Sequence, residues 1–507
     1  MNRRTIRRSI DSSGWGLPGL GGASVHADRR GLGKAGDEGA ATRAANVQRS
    51  EPTGRRGGDS VGRGEQGTTG STSTEARSAR APAPAAAASV PADLIYDWNG
   101  QLPCSFSLDV PAAIELNDET LRDGLQCPSV RQPSLAQKQE FLRTLPRIGV
   151  DAADIGYAGA SELSLEHVVA LARTIADERL PLRPNCAGRT HVKDIDAIAE
   201  AQQRAGVSID AALFIGSSPI RQWVEGWDVP RLVRTIEDAI AYAVRAGLEV
   251  MFVTEDTTRA RQKDVSTMYL AAADAGATRF CIADTVGQAT PAGVQQIVPF
   301  LAGELAAHGF GSALVDWHGH RDRGLDVVNA LAALSAGARR VHGCALGIGE
   351  RVGNTALDLV LVNIALLGWK DLDLLGLPAY CQVASEMTGV PIPRNYPVVG
   401  QDAFATSTGV HAAAVAKAYE KGDAWLADRV YSAVPASLVG RSQEISIGPM
   451  SGKSNVVYWL RTHGFDPTSE RTAAILEAAK CSSHVLSDAE ATRIARTAGP
   501  RRVKKAG

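Results

Sequence analysis

The sequence predicts an α/β fold, a (β/α)8 (TIM) barrel followed by a smaller, mainly helical C-terminal region. Three observations carry this. Short β-rich runs alternate with longer helical stretches across residues 112–368, and eight such runs can be counted. Eight strand–helix units in roughly 250 residues are what such a barrel requires. Polar residues gather at the C-terminal ends of the runs: Asp123 follows the first, Glu255 and Asp256 close the fifth, Asp284 and Thr285 the sixth, and His318 and His320 the seventh. A barrel brings these ends to one mouth, whereas a doubly wound open sheet, the structural rival, does not.

The strands are expected in "AIELNDE", "DAADIGY", "LRPNCAG", "DAALFIG", "EVMFVTED", "RFCIADT", "SALVDWHGH" and "RVHGCALG". Between them, "PSLAQKQEFLRTLPRIG", "VPRLVRTIEDAIAYAVRAG" and "TPAGVQQIVPFLAGELAAHG" each carry an apolar stripe and end in the glycine expected of a helix C-cap.

Flanking segments differ in character. Residues 1–95 are rich in Gly, Ser, Thr, Ala and Arg with almost no large apolar side chains, and are expected to be a disordered tail and linker. The start "MNRRTIRRSI" has the arginines of a transit peptide, but acids and the lack of an amphipathic period favour a solvated tail or a start codon placed too early. Residues 369–465 read as a helical subdomain and 466–507 as a C-terminal tail ending in the basic "RRVKKAG".

Composition excludes several classes. No signal-peptide core or run of about twenty apolar residues is present, so a cytoplasmic protein without membrane contact is expected. A formal net charge of −1 argues against specific nucleic-acid binding. The seven cysteines are scattered and never form C-x-x-C, as expected of reduced thiols.

The pair in "VDWHGHRDRG" points to a metal, because strand alternation aims His318 and His320 to one face. Two such histidines alone are more often satisfied structural groups. Here Asp123 in "ETLRDGLQ" and Asn354 in "GIGERVGN" fall at the same mouth. Two imidazoles, a carboxylate and an amide oxygen would leave positions open on a divalent ion, and do not choose between Mg, Mn and Zn. By contrast "GPMSGKSN" fails as a phosphate loop: Gly448 and Gly452 stand one residue too close, and Pro449 lacks a backbone donor.

Several motifs, in order over residues 112–457, resemble one family: "DETLRDGLQ", "VTEDTTR", "ADTVGQATP", "HGHRDRGLDVVNALAALSAGA", "GIGERVGNTALD", "TGVHAAAV" and "IGPMSGKSNV". It comprises the acyl-CoA-dependent, metal-assisted condensing enzymes on a TIM barrel, namely 2-isopropylmalate, homocitrate and citramalate synthases, with hydroxymethylglutaryl-CoA lyase as a relative. The "GIGER-x-GN" loop resembles the synthases.

The resemblance implies that Asp123, His318 and His320 bind a divalent metal with Asn354 completing or adjoining its shell. It also implies that Arg122 stabilises the developing oxyanion, that Thr285 holds the 2-oxoacid carboxylate, and that His411 is the acid/base histidine, with Glu255 orienting it and Tyr431 nearby. Acetyl-CoA would be a substrate, its thioester hydrolysed after condensation. A homodimer is expected, with His411 arriving from the neighbouring subunit.

Departures from the family pattern concern the pocket. Arg321 and Arg323 replace the acidic and apolar residues usual after the histidines, and are expected to bind CoA phosphates or face solvent. Leu346-Gly347 stands where Asn-Gly is usual. The long leucine-sensing C-terminal domain is missing, so leucine feedback through it is not expected. Val253 shares a strand face with Glu255, an apolar wall that favours 2-oxoisovalerate and a 2-isopropylmalate-synthase type of reaction. Homocitrate synthesis would need a partner for a second carboxylate, for which Arg189 or His191 are candidates; citramalate synthesis is the further alternative. A metal-dependent hydroxyacyl-CoA lyase and a non-catalytic metal-binding barrel are the rivals from other classes.

Overall fold

The computed structural model describes residues 108–498. The expected disordered tail, its linker and the "RRVKKAG" end lie outside the described residues. The strands β1 (Glu115–Asp118), β2 (Ala152–Asp154), β3 (Arg183–Arg189), β4 (Asp210–Gly216), β5 (Val250–Glu255), β6 (Arg279–Asp284), β7 (Leu314–Gly319) and β8 (Arg340–Gly343) close into a parallel barrel, β1 pairing with β8. Every residue of β6 is buried, as in a strand packed on both faces.

Helices α1 (Leu135–Leu142), α2 (Glu162–Asp177), α3 (Val192–Ala205), α4 (Pro219–Glu225), α5 (Val229–Arg245), α6 (Gln262–Asp274), α7 (Pro291–Ala307), α8 (Asp326–Ser335) and α9 (Leu357–Leu366) run between and after the strands. Local chemistry sets their ends. Thr290 caps α7 by accepting from Gly293 N–H, with Pro291 pre-setting the first turn, and Asp228 caps α5 by accepting from Arg231 N–H. Gly206 ends α3 at φ 71°, a conformation that costs glycine little.

The barrel ring buries one large apolar core that includes Phe141, Ile198, Ile236, Phe252, Phe280 and Leu361. Beyond it, α10 (Leu377–Thr388) lies against α1, where Tyr380 packs on Phe141 with ring centroids 5.3 Å apart. The Tyr380 hydroxyl donates to Asp118 Oδ2 at 2.6 Å, tying α10 to the end of β1.

The remaining elements are β9 (Ala405–Thr406), α11 (Gly409–Glu420), α12 (Ala424–Arg429), β10 (Glu444–Ile445) and α13 (Lys453–Thr462), followed by α14 (Ser469–Cys481) and α15 (Asp488–Thr497). Over the described part of the expected tail, residues 466–498, the chain instead forms these last two helices. Ile475, Ala479, Ala491 and Ala495 close a second core against Val456, Trp459 and Leu460, and Trp459 Nε1 donates to Asp488 at 2.7 Å. The "GPMSGKSN" segment is structural: Gly452 begins α13, and Asn455 Nδ2 donates to the Ser446 carbonyl at 2.8 Å. All cysteines among the described residues are free thiols, and no helix there is long and apolar enough to cross a membrane.

Candidate active site

At the C-terminal mouth, β7 and the turn after β1 bring three donors together. His318 Nε2 and His320 Nε2 are 3.2 Å apart, and Asp123 Oδ2 stands 3.5 Å from the first and 3.8 Å from the second. Asn354 joins them through a β-bridge to His320. Its approach depends on glycines: a Cβ on Gly349 would come within 2.7 Å of Asn354 Cγ, and Gly353 sits at φ 115° with a Cβ position only 1.9 Å from the Gly347 carbonyl oxygen.

These groups fit a divalent ion. Asp123 Oδ1, His320 Nδ1 and Asn354 Oδ1 are buried without a hydrogen-bond partner, an expensive state for polar atoms unless a ligand meets at least some of them. The donor set, N with O and no thiolate, suits a borderline or hard divalent cation with positions left for substrate.

Arg122 is held beside them by three carboxylates: Nη1 to Asp123 Oδ2 at 3.0 Å, Nε to Asp154 Oδ2 at 2.7 Å and Nη2 to Glu119 Oε1 at 3.1 Å. Electrostatics differ sharply across the cluster. Burial pushes His320 down to about 4, with the neighbouring His318 adding to the shift. Burial also opposes charge on His318, but Glu119 at its Nδ1 raises the imidazole pKa above the usual value. Asp154 rises to about 6 because burial outweighs Arg122.

Above this floor lies a cavity of ≈140 Å³. Val253 and Glu255 both line it, as strand alternation requires, with Thr285, Tyr157, Phe214, Ala187, Ala212, Met251 and Ala283. Burial raises the Glu255 carboxyl above the usual carboxylate range. Asp256 leaves the mouth: at φ 62° its side chain turns to Arg259 at 2.6 Å, while its N–H donates to Thr285 Oγ1 at 2.8 Å. Asp284 is likewise occupied, accepting from Thr258, Gln288 and Ala289.

Arg189 and His191 are absent from the cavity wall. Arg189 forms a bidentate pair with Asp194, and His191 accepts from Lys193 N–H as the cap of α3. Arg321 donates to the Leu346 carbonyl at 3.2 Å, and exposed Arg323 donates to the Gln288 carbonyl at 2.8 Å. Leu346 itself holds φ 57°, a left-handed conformation that an Asn tolerates better than a Leu.

His411, near the start of α11, and Tyr431 are stacked on each other and exposed, and neither lines the cavity of its own chain. Within one chain, the structure therefore gathers Arg122, Asp123, Val253, Glu255, Thr285, His318, His320 and Asn354, and leaves His411 and Tyr431 apart.

Two residues of the floor escaped the motif reading. Glu119 Oε2 accepts from His318 Nδ1 at 2.7 Å and Oε1 from His342 Nδ1 at 2.8 Å. The signal was present as period two: Asn117 and Glu119 on the first run, and Arg340 and His342 on the eighth, are polar residues at alternate positions.

Comparison with known proteins points to one family. The HMGL-like family model matches residues 113–382. A probable 2-isopropylmalate synthase of Ignicoccus hospitalis is 32% identical over 73% of this chain and 88% of its own. The homocitrate synthase AksA of Methanocaldococcus jannaschii is 31% identical over 76% and 91%, and a putative (R)-citramalate synthase of Methanopyrus kandleri 31% over 73% and 69%. With the barrel fold, the family match and relatives at 31–32% identity over about three quarters of the chain in agreement, the chain belongs to the HMGL-like family, as an enzyme of its acyl-condensing synthase branch.

Proposed function

We propose that the chain condenses acetyl-CoA with an aliphatic 2-oxoacid, 2-oxoisovalerate first among them, and hydrolyses the thioester, a 2-isopropylmalate-synthase reaction in the cytoplasm. The observation that carries this reading is the convergence of Asp123, His318, His320 and Asn354 with Arg122 beneath a wall bearing Val253. A divalent ion bound there, whether Mg, Mn or Zn, would polarise the acceptor ketone.

The chain's own residues supply the rest. Thr285 orients the acceptor carboxylate from the cavity wall. Arg122 meets the oxyanion that develops as the new carbon–carbon bond forms, a preorganised charge worth about 3 kcal/mol at such sites. A thioester α-proton is weakly acidic, so a placed base must remove it. His411, oriented by Glu255 with Tyr431 beside it, takes that role from a neighbouring subunit of a homodimer. Water then cleaves the thioester and releases CoA thiol, which makes the condensation effectively irreversible.

Acceptor choice follows from the walls. Arg122 is the one arginine among the described residues lining the cavity, and it is already balanced by carboxylates. With Arg189 committed to Asp194, a second acceptor carboxylate meets no uncommitted arginine or lysine on the cavity wall, which disfavours homocitrate formation. Pyruvate asks less of the same wall, so citramalate formation is the reading to separate.

The test is CoA-thiol release from acetyl-CoA with a divalent metal and 2-oxoisovalerate, 2-oxoglutarate, pyruvate or glyoxylate. Metal-dependent release with 2-oxoisovalerate is expected. Release with 2-oxoglutarate or pyruvate alone reassigns the acceptor; silence with all, alongside cleavage of a hydroxyacyl-CoA, moves the chain to the lyase reaction.

A further inference from the structure

We infer that Glu119, His342 and Asp316 form a positioning line that fixes the tautomer and orientation of His318 toward a divalent ion, anchored inside the barrel by Arg340 and Arg279. The inference rests on the proposed metal site and goes beyond its ligands. Glu119, Asp316 and His342 come from three different parts of the chain, and the whole line is nearly inaccessible: Glu119 is 2% exposed, His342 1%, Asp316 0%, Arg340 0% and Arg279 5%.

The contacts are continuous. His318 Nδ1 meets Glu119 Oε2 at 2.7 Å, and His342 Nδ1 meets Oε1 at 2.8 Å. His342 Nε2 reaches Asp316 Oδ2 at 3.2 Å. Arg340 Nε donates to Asp316 Oδ2 and Arg279 Nη1 to Oδ1, both at 2.8 Å. An ionised carboxylate only accepts hydrogen bonds, so Glu119 requires a hydrogen on His318 Nδ1. That leaves the lone pair on Nε2, the atom facing Asp123 and His320.

The line cannot easily be rearranged. Arg122 Nη2 and His342 Nδ1 both converge on Glu119 Oε1, which reserves Oε2 for His318. Glu119, His318 and His342 also lie close enough to hold a second cation. Such an ion would have to displace the Nδ1 hydrogens and stand beside the Arg122 guanidinium, so the positioning role is the better account.

Glu119→Gln tests this isosterically. Arg122 and His342 favour the amide oxygen at the Oε1 position, which turns the NH2 group toward His318 Nδ1 and drives the hydrogen to Nε2. Co²⁺ titration of the full chain, read by visible absorption, is expected to show about tenfold weaker binding or more, with an altered spectrum. His342→Gln, one step further from the ion, is expected to weaken binding several-fold. Thermal unfolding of the metal-free variants separates this from a merely structural role, which would lower stability and leave the affinity of the folded protein unchanged.

Either folded variant binding Co²⁺ within about twofold of the parent, with the parent spectrum, overturns the line at that residue. A parent that binds and turns over while both variants bind equally sinks the inference alone. A parent that binds no Co²⁺, or binds it equally as His320→Ala, sinks the metal site and the inference together.

Discussion

His411 and Tyr431 stack with ring centroids 4.1 Å apart and planes 28° from parallel, on an exposed part of the C-terminal region that also carries Val410 and Met450. Neither ring reaches the barrel cavity of its own chain. A neighbouring copy delivering this pair predicts complementation. His411→Ala and His320→Ala should each be inactive alone, while a refolded mixture should regain about a quarter of parental activity, because each mixed dimer holds one intact site. A mixture as silent as its components would place the base within the same chain or in another residue. His411→Ala should retain its metal.

Metal removal gives a second expectation. Dialysis against a chelator should abolish CoA-thiol release, and restoring an ion at about a hundred times its Kd should stabilise the fold by roughly 2.7 kcal/mol. Scanning fluorimetry would read this as a rise of a few degrees in the parent. Asp123→Asn should show a smaller rise, since an amide replaces an anionic ligand and Arg122 loses a partner.

The Tyr380 hydroxyl predicts a pH-dependent stability term. Burial lifts Asp118 to about 7, although the hydrogen bond from Tyr380 pulls the other way. Its unfolded value is about 3.9, so between these values the folded state holds more protons, and this residue's contribution falls as pH rises from about 4 to about 7. Tyr380→Phe removes a donor that favours the carboxylate. Its cost, roughly 1–3 kcal/mol, should be larger at alkaline than at acidic pH in urea unfolding. An equal cost across the range would mean that Asp118 does not ionise in the folded protein.

Leu346 sets strain against burial. Its left-handed φ of 57° costs roughly 1–2 kcal/mol, whereas burying its side chain, 7% exposed, contributes roughly 2–3 kcal/mol. Leu346→Gly gives up both and should lower stability by about 1 kcal/mol, read as a lower urea midpoint with unchanged slope. A rise in midpoint would mean that the strain dominates.

Much of this molecule was legible because the barrel writes itself in a repeating pattern. The runs "RFCIADT" and "SALVDWHGH" announce buried strands whose last residues are polar, and the motifs at the ends of the first, seventh and eighth runs supplied the candidates Asp123, His318, His320 and Asn354. What was hidden depends on contacts between distant or turned side chains. Arg189 looks free in "GRTHVKD", yet Asp194 on the following helix captures it. Helices α14 and α15 passed for a tail because their buried faces are largely alanine, which carries little apolar contrast. Nothing in the motifs says that Glu119 and His342 meet, because only barrel closure brings them together.

That closure also orders events during synthesis. Asp123 leaves the ribosome nearly two hundred residues before His318, and Asn354 follows later still, with the last strand needed to seat β1. A nascent chain therefore has no complete cage to trap whichever cation it meets first. Selection of an ion at the proposed site would wait for a finished barrel, when geometry as well as availability can decide.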